Sequence, residues 1–397
     1  MKWQRKKLGN LIQLNYGKSL PERSRINGEI PVYGSGGIGG YHNEPLVKGA
    51  GIIVGRKGTV GSVYYEKRDF FPIDTVYYVS KLDEETDLKF IYYLLKTLSL
   101  EKLNTHAAVP GLNRDNALAL DVYIPDSKTQ TKIASILSAY DDLIENNTRR
   151  IAILEEMARR IYEEWFVRFR FPGHEQVKMV ESELGLIPEG WEIKRLEDVL
   201  SALESGSRPK GGIDANEREV PSIGAENING LGNYDYSKDK FISREFFENM
   251  NRGVVKSGDV LLYKDGAYIG RKAMFQNDYP HKECAINEHV FILRSGEIPP
   301  NYLYFWLDTK EMTAKIKGLN SNAAQPGINQ AGVKSLPIMV PNKDVLFDFD
   351  ERIQPLISLL FNLAKKKALL RKTRDLLLPK LISGEVDVSH FPEPENV

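Results

Sequence analysis

The amino-acid sequence predicts an α+β protein that is built twice, with two related lobes that are each followed by a long helix. Three observations predict this class. Segments of the first half recur in the second half in the same order, strands and helices show no regular βαβ alternation, and two long stretches carry apolar residues at heptad spacing. We expect the two long helices to separate the lobes and to pair as an antiparallel coiled coil with pseudo-twofold symmetry.

Matching segments establish the internal repeat. The closest pair is LNTHAAVPGLN at 103–113 and LNSNAAQPGIN at 319–329. The other pairs precede it in the same order in both halves: 3–8 with 191–196, 31–34 with 221–224, 56–61 with 264–270, and 90–95 with 302–307. The period is about 200 residues, far longer than the ~20–50 residues of a solenoid repeat, which indicates a duplicated domain.

Composition predicts the strands and helices of each lobe. Runs of β-branched and aromatic residues predict strands at 50–54, 63–65, 75–79, 259–263 and 289–293. Apolar residues at helical spacing predict helices at 88–100 and 301–317. Asn113 and Asn329 stand where an asparagine side chain caps the helix that follows.

The two long helices follow the lobes, and residues 130–166 contain no proline or glycine. We call the row of residues that faces the partner helix the seam. It consists of Ile133, Leu137, Tyr140, Ile144, Asn147, Ile151 and Leu154 in the first helix and Ile353, Leu360, Leu363, Lys367 and Leu370 in the second. Asn147 is expected to fix the register of the pair at some cost in stability, and Lys367 is its repeat counterpart. The alternative is that each helix packs only on its own lobe.

These patterns divide the chain into six segments. They are the first lobe at 1–126, the first long helix at 127–170, a linker at 171–190, the second lobe at 191–342, the second long helix at 343–384 and a C-terminal tail at 385–397. The formal net charge is zero, which disfavours a simple nucleic-acid binder but is compatible with local basic patches. The only cysteine is Cys284, and no apolar run approaches the ~20 residues of a membrane span. We therefore predict a cytoplasmic protein.

The motifs that would indicate an enzyme are incomplete. GSGGIG at 34–39 has the glycine spacing of a dinucleotide-binding loop, but Pro45 follows closely, so no helix is expected to receive a pyrophosphate. Gly17, Lys18 and Ser19 resemble the end of a P-loop, but Ile12 occupies the place of its first glycine. The six histidines are scattered, and no methyltransferase or nuclease motif is evident. We expect neither catalytic residues nor a bound metal.

Five segments together resemble motifs of the DNA-specificity subunits of Type I restriction–modification systems. They are IPVYGSGGIGGY at 30–41, GRKGTVG at 55–61, AAVPGLNR at 107–114, QTKIASILS at 130–138 and LLLPKLISGEV at 376–386. The resemblance implies two target recognition domains that each recognise one half of a bipartite site in double-stranded DNA. It also implies that two methyltransferase subunits, which supply S-adenosylmethionine and methylate adenine, dock on the helices, and that two motor–nuclease subunits complete the complex. The chain itself would be non-catalytic and would hold no cofactor.

Polar residues near glycine-rich turns are the candidates for DNA contact, because the backbone can approach a duplex closely there. In the first lobe they are Lys18, Arg23, Arg25, Ser35, Tyr41, His42, Arg56, Lys57 and Thr59, and in the second lobe Ser207, Arg208, Lys210, Glu226, Asn227, Asn229, Lys264, Asp265, Tyr268, Arg271 and Lys272. Each could instead be a solvated loop residue. For the whole chain, the alternative function is a coiled-coil scaffold that binds protein partners only.

Overall fold

The computed structural model describes residues 3–83, 85–103, 111–209, 218–320 and 327–391. The chain forms two compact units. Unit 1 comprises Met1–Ile144 and Leu369–Val397, and unit 2 comprises Glu145–Ala368. The boundary between the units falls within both long helices, so each unit contains one part of each helix.

The described part of unit 1 contains three small sheets. Its strands are β1 (Gln4–Lys7), β2 (Ile12–Tyr16), β3 (Ile30–Gly34), β4 (Gly37–His42), β5 (Gly51–Gly55), β6 (Val63–Glu66), β7 (Phe71–Pro72), β8 (Val76–Lys81) and β9 (Asp121–Ile124). The strand orders are β2-β8-β5-β6, β4-β3-β7 and β1-β9. Neighbouring strands are antiparallel except β3 and β7, which are parallel.

Helices cover the four-stranded sheet of unit 1. They are α1 (Leu88–Thr97), α2 (Arg114–Leu118) and the first part of α3 (Ser127–Tyr162). Asn113 caps α2, because its Oδ1 accepts a hydrogen bond from the Asn116 amide at 3.0 Å, as the sequence predicts. Ile52 of the sheet, Leu94 of α1 and Leu137 of α3 belong to one apolar core. Burial of these apolar side chains drives the packing of helices on sheet.

Unit 2 has the corresponding sheets and one additional hairpin. Its strands are β10 (Met179–Ser182), β11 (Gly185–Pro188), β12 (Glu192–Arg195), β13 (Leu200–Ser205), β14 (Val220–Ile223), β15 (Lys240–Ile242), β16 (Val260–Tyr263), β17 (Lys272–Met274), β18 (Ala285–Ile286), β19 (Val290–Ser295) and β20 (Pro337–Val340). The orders are β13-β19-β16-β17, β15-β14-β18 and β12-β20, with β10 and β11 as the hairpin.

The two units therefore repeat the same topology. Each four-stranded sheet places its strands in the same sequential order, and each three-stranded sheet ends in a parallel pair, β3 with β7 and β14 with β18. The predicted strands correspond to β5, β6, β8, β16 and β19, with ends that differ by at most two residues. The predicted duplication and the α+β class are confirmed.

The helices of unit 2 correct one prediction. They are α4 (Leu196–Val199), α5 (Arg244–Glu248), α6 (Pro300–Asp308), α7 (Lys310–Gly318) and α8 (Gln330–Lys334), with parts of α3 and α9 (Lys343–Ser383). The single helix predicted at 301–317 is wrong, because Thr309 interrupts it with an extended backbone. The Thr309 hydroxyl accepts a hydrogen bond from the Met312 amide at 3.2 Å, which caps a new helix.

The two long helices pack against each other in antiparallel orientation within each unit. In unit 1, Nη1 of Arg374 near the end of α9 lies 2.5 Å from Oδ1 of Asp141 on α3. In unit 2, the ring of Phe349 near the start of α9 lies 5.9 Å from the ring of Trp165, in the π-helical turn that extends α3. The predicted antiparallel pair is confirmed.

The predicted seam is buried over most of its length. Buried are Ile133, Leu137, Ile144, Asn147, Ile151, Leu154, Ile353, Leu360, Leu363 and Lys367, whereas Tyr140 and Leu370 are partly buried. Each helix also contacts its own lobe: in unit 1, Leu137 packs in the core of the four-stranded sheet. The pairing and the packing on the lobes thus occur together.

Candidate nucleic-acid interface

Two arginines flank one tyrosine beside the turn that joins β5 to β6 in unit 1. The guanidinium carbon of Arg56 lies 5.2 Å from the ring centroid of Tyr16, and that of Arg114 lies 5.5 Å from it. Arg56 also donates hydrogen bonds from Nε and Nη2 to the carbonyl oxygen of Asp74, at 3.2 and 2.7 Å. Tyr16 is half exposed. The cluster therefore presents cations and an aromatic ring to solvent, which suits contact with a nucleic acid.

Hydrogen bonds to Ser35 hold the same turn against the hairpin formed by β3 and β4. The Thr59 amide donates to Oγ of Ser35 at 3.3 Å, and the hydroxyls of Ser62 and Tyr64 donate to its carbonyl oxygen at 2.7 and 3.1 Å. The GSGGIG segment is thus a hairpin turn and not a phosphate-binding loop before a helix, as the sequence predicts. Ser35 is itself partly exposed and holds the turn through these hydrogen bonds.

The remaining candidates of unit 1 differ in exposure. Exposed are Lys18, Arg23, Tyr41, Lys57 and Thr59. Arg25 is partly exposed and donates from Nη1 to the Gly39 carbonyl oxygen at 2.6 Å. His42 is buried: its Nδ1 accepts a hydrogen bond from the Ile26 amide at 3.1 Å, and its ring lies edge-on to Phe71. The prediction of a DNA-facing His42 is therefore wrong, since its side chain completes the protein interior.

Unit 2 brings three candidates together at the turn that joins β16 to β17. The guanidinium carbon of Arg271 lies 3.8 Å from the ring centroid of Tyr268, and its Nη1 donates to Oδ1 of Asn229 at 3.4 Å. Asn229 in turn donates to the carbonyl oxygen of Glu226 at 2.9 Å. Burial raises the pKa of Glu226, but the hydrogen bond and charge of Lys240, a main-chain hydrogen bond and the charge of Arg208 together hold the pKa below its ordinary value. The exposed Tyr268, Arg271 and Asn229 form the surface that we call the unit 2 cluster.

A row of linked polar and charged side chains crosses the surface of unit 2 at the start of the same turn. Arg208 lies 2.7 Å from Glu288, and Oε1 of Glu288 lies 3.3 Å from Nε2 of His289. His289 Nδ1 lies 2.8 Å from Oδ2 of Asp265, to which Lys264 is joined at 3.0 Å. The row unites three predicted candidates with two residues, Glu288 and His289, that the sequence does not single out. The row holds hydrogen-bond donors and acceptors at fixed positions, which the recognition of base edges requires.

Two further candidates of unit 2 are buried. Asn227 accepts a hydrogen bond from the Gly224 amide at 3.3 Å and stabilises the bend after β14. The side chain of Lys272 lies beneath the turn. The predictions that these two side chains face DNA are wrong, because both are enclosed by the protein. Ser207 is partly exposed, and Lys210 lies outside the described residues.

The seam contains the two buried polar side chains that the repeat predicts. Nδ2 of Asn147 has no hydrogen-bond partner among the described residues. Nζ of Lys367 donates to the Gly232 carbonyl oxygen at 3.3 Å and to Oδ1 of Asn233 at 3.4 Å. A Cβ at Gly232 would lie 2.8 Å from a methyl group of Leu360, so this loop packs tightly on α9. Lys367 therefore ties the loop of the second lobe to the helix pair.

The described residues contain no group of three or more His, Cys, Asp or Glu side chains that could hold a metal ion. Within the same described ranges, no helix has both the length and the apolar character that a membrane crossing requires. The arrangements found are surface clusters of cations, amides and tyrosines on two similar scaffolds.

Comparisons with known proteins agree with these features. The model of the Type I restriction modification DNA specificity domain matches residues 1–156 and 188–368. The chain belongs to this family. The MjaIX Type I restriction enzyme specificity subunit of Methanocaldococcus jannaschii is 26% identical over 312 residues, which are 76% of this chain and 70% of that protein. The HindI specificity subunit of Haemophilus influenzae is 23% identical over 342 residues, 70% of this chain and 71% of the relative.

A solved structure extends the likeness to the whole fold. The S subunit of a Type I restriction–modification system from M. genitalium matches with a TM-score of 0.64 at 18% sequence identity, over 96% of both chains. As a Type I DNA-specificity subunit, the chain recognises DNA sequence and is not itself catalytic. The function predicted from the sequence is thereby confirmed, and the protein-only scaffold is not favoured.

Proposed function

We propose that each lobe of this specificity subunit recognises one half of a bipartite DNA site. The repeated topology with different turn residues supports this proposal. Unit 1 presents Arg56 and Lys57 at its β5–β6 turn, whereas unit 2 presents Lys264 and Asp265 at the equivalent β16–β17 turn. Equal scaffolds with unequal side chains recognise unlike half-sites, because donors and acceptors at base edges determine the sequence.

A lobe exchange tests this function. Residues 1–126 are replaced by the first lobe of another family member, and the methylation pattern of the assembled complex is mapped on a randomised DNA library. We expect the sequence of one half-site to change while the other is kept. A change in both half-sites would contradict modular recognition, and methylation without any sequence preference would contradict DNA specificity itself.

We also propose that two methyltransferase subunits dock on the long helices and that they hold S-adenosylmethionine, with two motor–nuclease subunits completing a cytoplasmic complex. Exposed apolar side chains on both helices support docking. Ile153 and Met157 lie one turn apart on α3 in unit 2, and Leu369 and Leu376 lie two turns apart on α9 in unit 1. Apolar side chains that stay exposed in a single chain are typical of interaction surfaces.

The stoichiometry is tested by charge substitution. Ile153→Glu with Met157→Glu is compared with Arg150→Glu, which changes an exposed residue of the same helix. We expect the mass of the complex with the double variant to fall by one methyltransferase subunit, while Arg150→Glu keeps two. A complex of unchanged mass would show that this part of α3 is not a docking surface.

A further inference from the structure

Unit 2 buries the amino group of Lys272 directly beneath the turn that carries its candidate DNA contacts. The side chain of Lys272 is 3% exposed, and a lysine is almost never fully buried unless it is paired. Nζ donates hydrogen bonds to the Gly270 carbonyl oxygen at 2.9 Å and to Oγ1 of Thr313 at 2.8 Å. Burial lowers the pKa of Lys272, and the carboxylate of Asp308 opposes this effect. The ammonium group therefore depends on these partners to stay charged in the interior.

Asp308, the last residue of α6, joins Lys272 to the long helix α3. Its Oδ1 lies 3.6 Å from Nζ of Lys272, and its Oδ2 accepts a hydrogen bond from Nη1 of Arg159 at 2.7 Å. Nη2 of Arg159 lies 3.4 Å from Oε1 of Glu155, one helical turn earlier. We call these four side chains the charge network, in which Lys272 is buried and the other three are partly exposed. Its two cations and two carboxylates compensate each other, so removal of one member leaves a partner charge without compensation.

The network holds the turn from the inside, while the unit 2 cluster lies on its outside. Lys272 Nζ binds the carbonyl oxygen of Gly270, whose φ of +87° is the left-handed conformation that favours glycine. The main-chain carbonyl of Lys272 accepts a hydrogen bond from the Gly230 amide at 2.9 Å, next to Asn229. Tyr268 and Arg271 project from the same turn. A shift of Lys272 would therefore displace all three members of the cluster together.

Unit 1 holds its equivalent turn differently. Val63 stands two residues after Gly61, where Lys272 stands two residues after Gly270, and Val63 packs against the apolar core. The turn of unit 1 is held by the neutral hydrogen bonds of Ser35. The charge network thus belongs to the lobe of unit 2, and unit 1 serves as an internal control in the same molecule.

We propose that Lys272 and Asp308 are positioning residues that determine the sequence preference of the lobe in unit 2, by holding the turn at 264–271 in the geometry that presents Tyr268 and Arg271 to base edges. This proposal rests on the proposed recognition of one half-site by each lobe. Contacts to base edges determine the sequence and require placement within about 0.5 Å, whereas phosphate contacts carry no sequence information directly. Loss of the network should therefore weaken discrimination more than overall affinity.

The test uses the whole chain assembled with its methyltransferase subunits. Lys272→Met removes the donors with little change of shape, Lys272→Arg keeps a cation, and Asp308→Asn removes the partner charge. Lys315→Met, a partly exposed lysine on α7 that pairs with Glu311, is the matched control. Methylation rates are measured on DNA sites with single base-pair changes in either half-site, after the lobe exchange has assigned each half-site to its lobe.

We expect Lys272→Met and Asp308→Asn to lose about tenfold of the discrimination in the half-site of unit 2, the equivalent of about one base-pair contact. Discrimination in the other half-site stays unchanged, Lys315→Met behaves as wild type, and Lys272→Arg restores most of the loss. Unchanged discrimination, or equal losses in both half-sites, would overturn the proposal. If Lys272→Met does not assemble, Asp308→Asn decides in the same way. A wild-type complex that discriminates in neither half-site would instead refute the proposed function.

Discussion

Replacement of Asn147 by leucine should stabilise the helix pair. Asn147 is 4% exposed, and its Nδ2 has no hydrogen-bond partner among the described residues. A buried donor without a partner costs about 1–3 kcal/mol relative to its state in water. Leucine has a similar shape and no polar atom, so the substitution removes this cost. Leucine also favours a helix more than asparagine does, by up to about 0.5 kcal/mol.

The neighbouring residue separates these two contributions. Asn146 is exposed on the same helix, so Asn146→Leu changes helix propensity without changing a buried group. We expect Asn147→Leu to raise the free energy of unfolding by about 1–3 kcal/mol more than Asn146→Leu does. The measurement is urea unfolding followed by circular dichroism. The free energies can be compared if the variants show the same dependence of the free energy of unfolding on urea concentration.

A result in which Asn147→Leu unfolds at the same or a lower urea concentration than Asn146→Leu would refute this reasoning. It would mean that the Asn147 amide is satisfied in solution, for example by a bound water molecule. The expected gain in stability would instead agree with the view that Asn147 fixes the register of the helix pair at some cost in the stability of the pair.

Three further outcomes are expected. The carboxylate of Asp126 caps α3, because it accepts a hydrogen bond from a main-chain amide in the first turn of that helix. Asp126→Ala should therefore lower the free energy of unfolding in urea by about 1 kcal/mol. An unchanged urea midpoint would contradict this role of Asp126 as a helix cap. Burial holds the pKa of His281 below its ordinary value of 6.5 in spite of Asp239, so the stability that the neutral ring contributes is present above pH 6.5 and is lost as the pH falls below it. Wild type should therefore lose more stability between pH 7 and pH 5 than His281→Gln, and parallel curves would disprove this assignment. Arg114→Ala removes one of the two cations beside Tyr16. It should therefore weaken DNA binding by the assembled complex equally for all sequences and lower the slope of log K against log salt by about 1. An altered sequence preference would instead show that Arg114 contacts a base.

Local patterns were sufficient for the strands and for most of the helices. The run Ala50–Val54 corresponds to β5, because a run of β-branched residues depends only on neighbours in the chain. The break at Thr309 was missed, since the apolar spacing of α6 continues into α7 and the competing hydrogen bond of the threonine side chain does not change that spacing. His42 and Lys272 were predicted at the surface because polar residues beside glycines usually lie in exposed loops.

The sequence by itself determined that the chain is duplicated, that each lobe mixes strands and helices, that two long helices carry an apolar seam, and that the family is one of DNA-specificity subunits. The spacing of apolar residues and the matching segments of the two halves are sufficient to predict these features. Only the tertiary structure decided which polar side chains are exposed and which serve as internal supports. Tyr16 meets Arg114, and Lys272 meets Asp308, because folding brings together residues that are far apart in the chain. No local pattern contains such pairs, since burial and hydrogen bonding depend on the packing of whole elements.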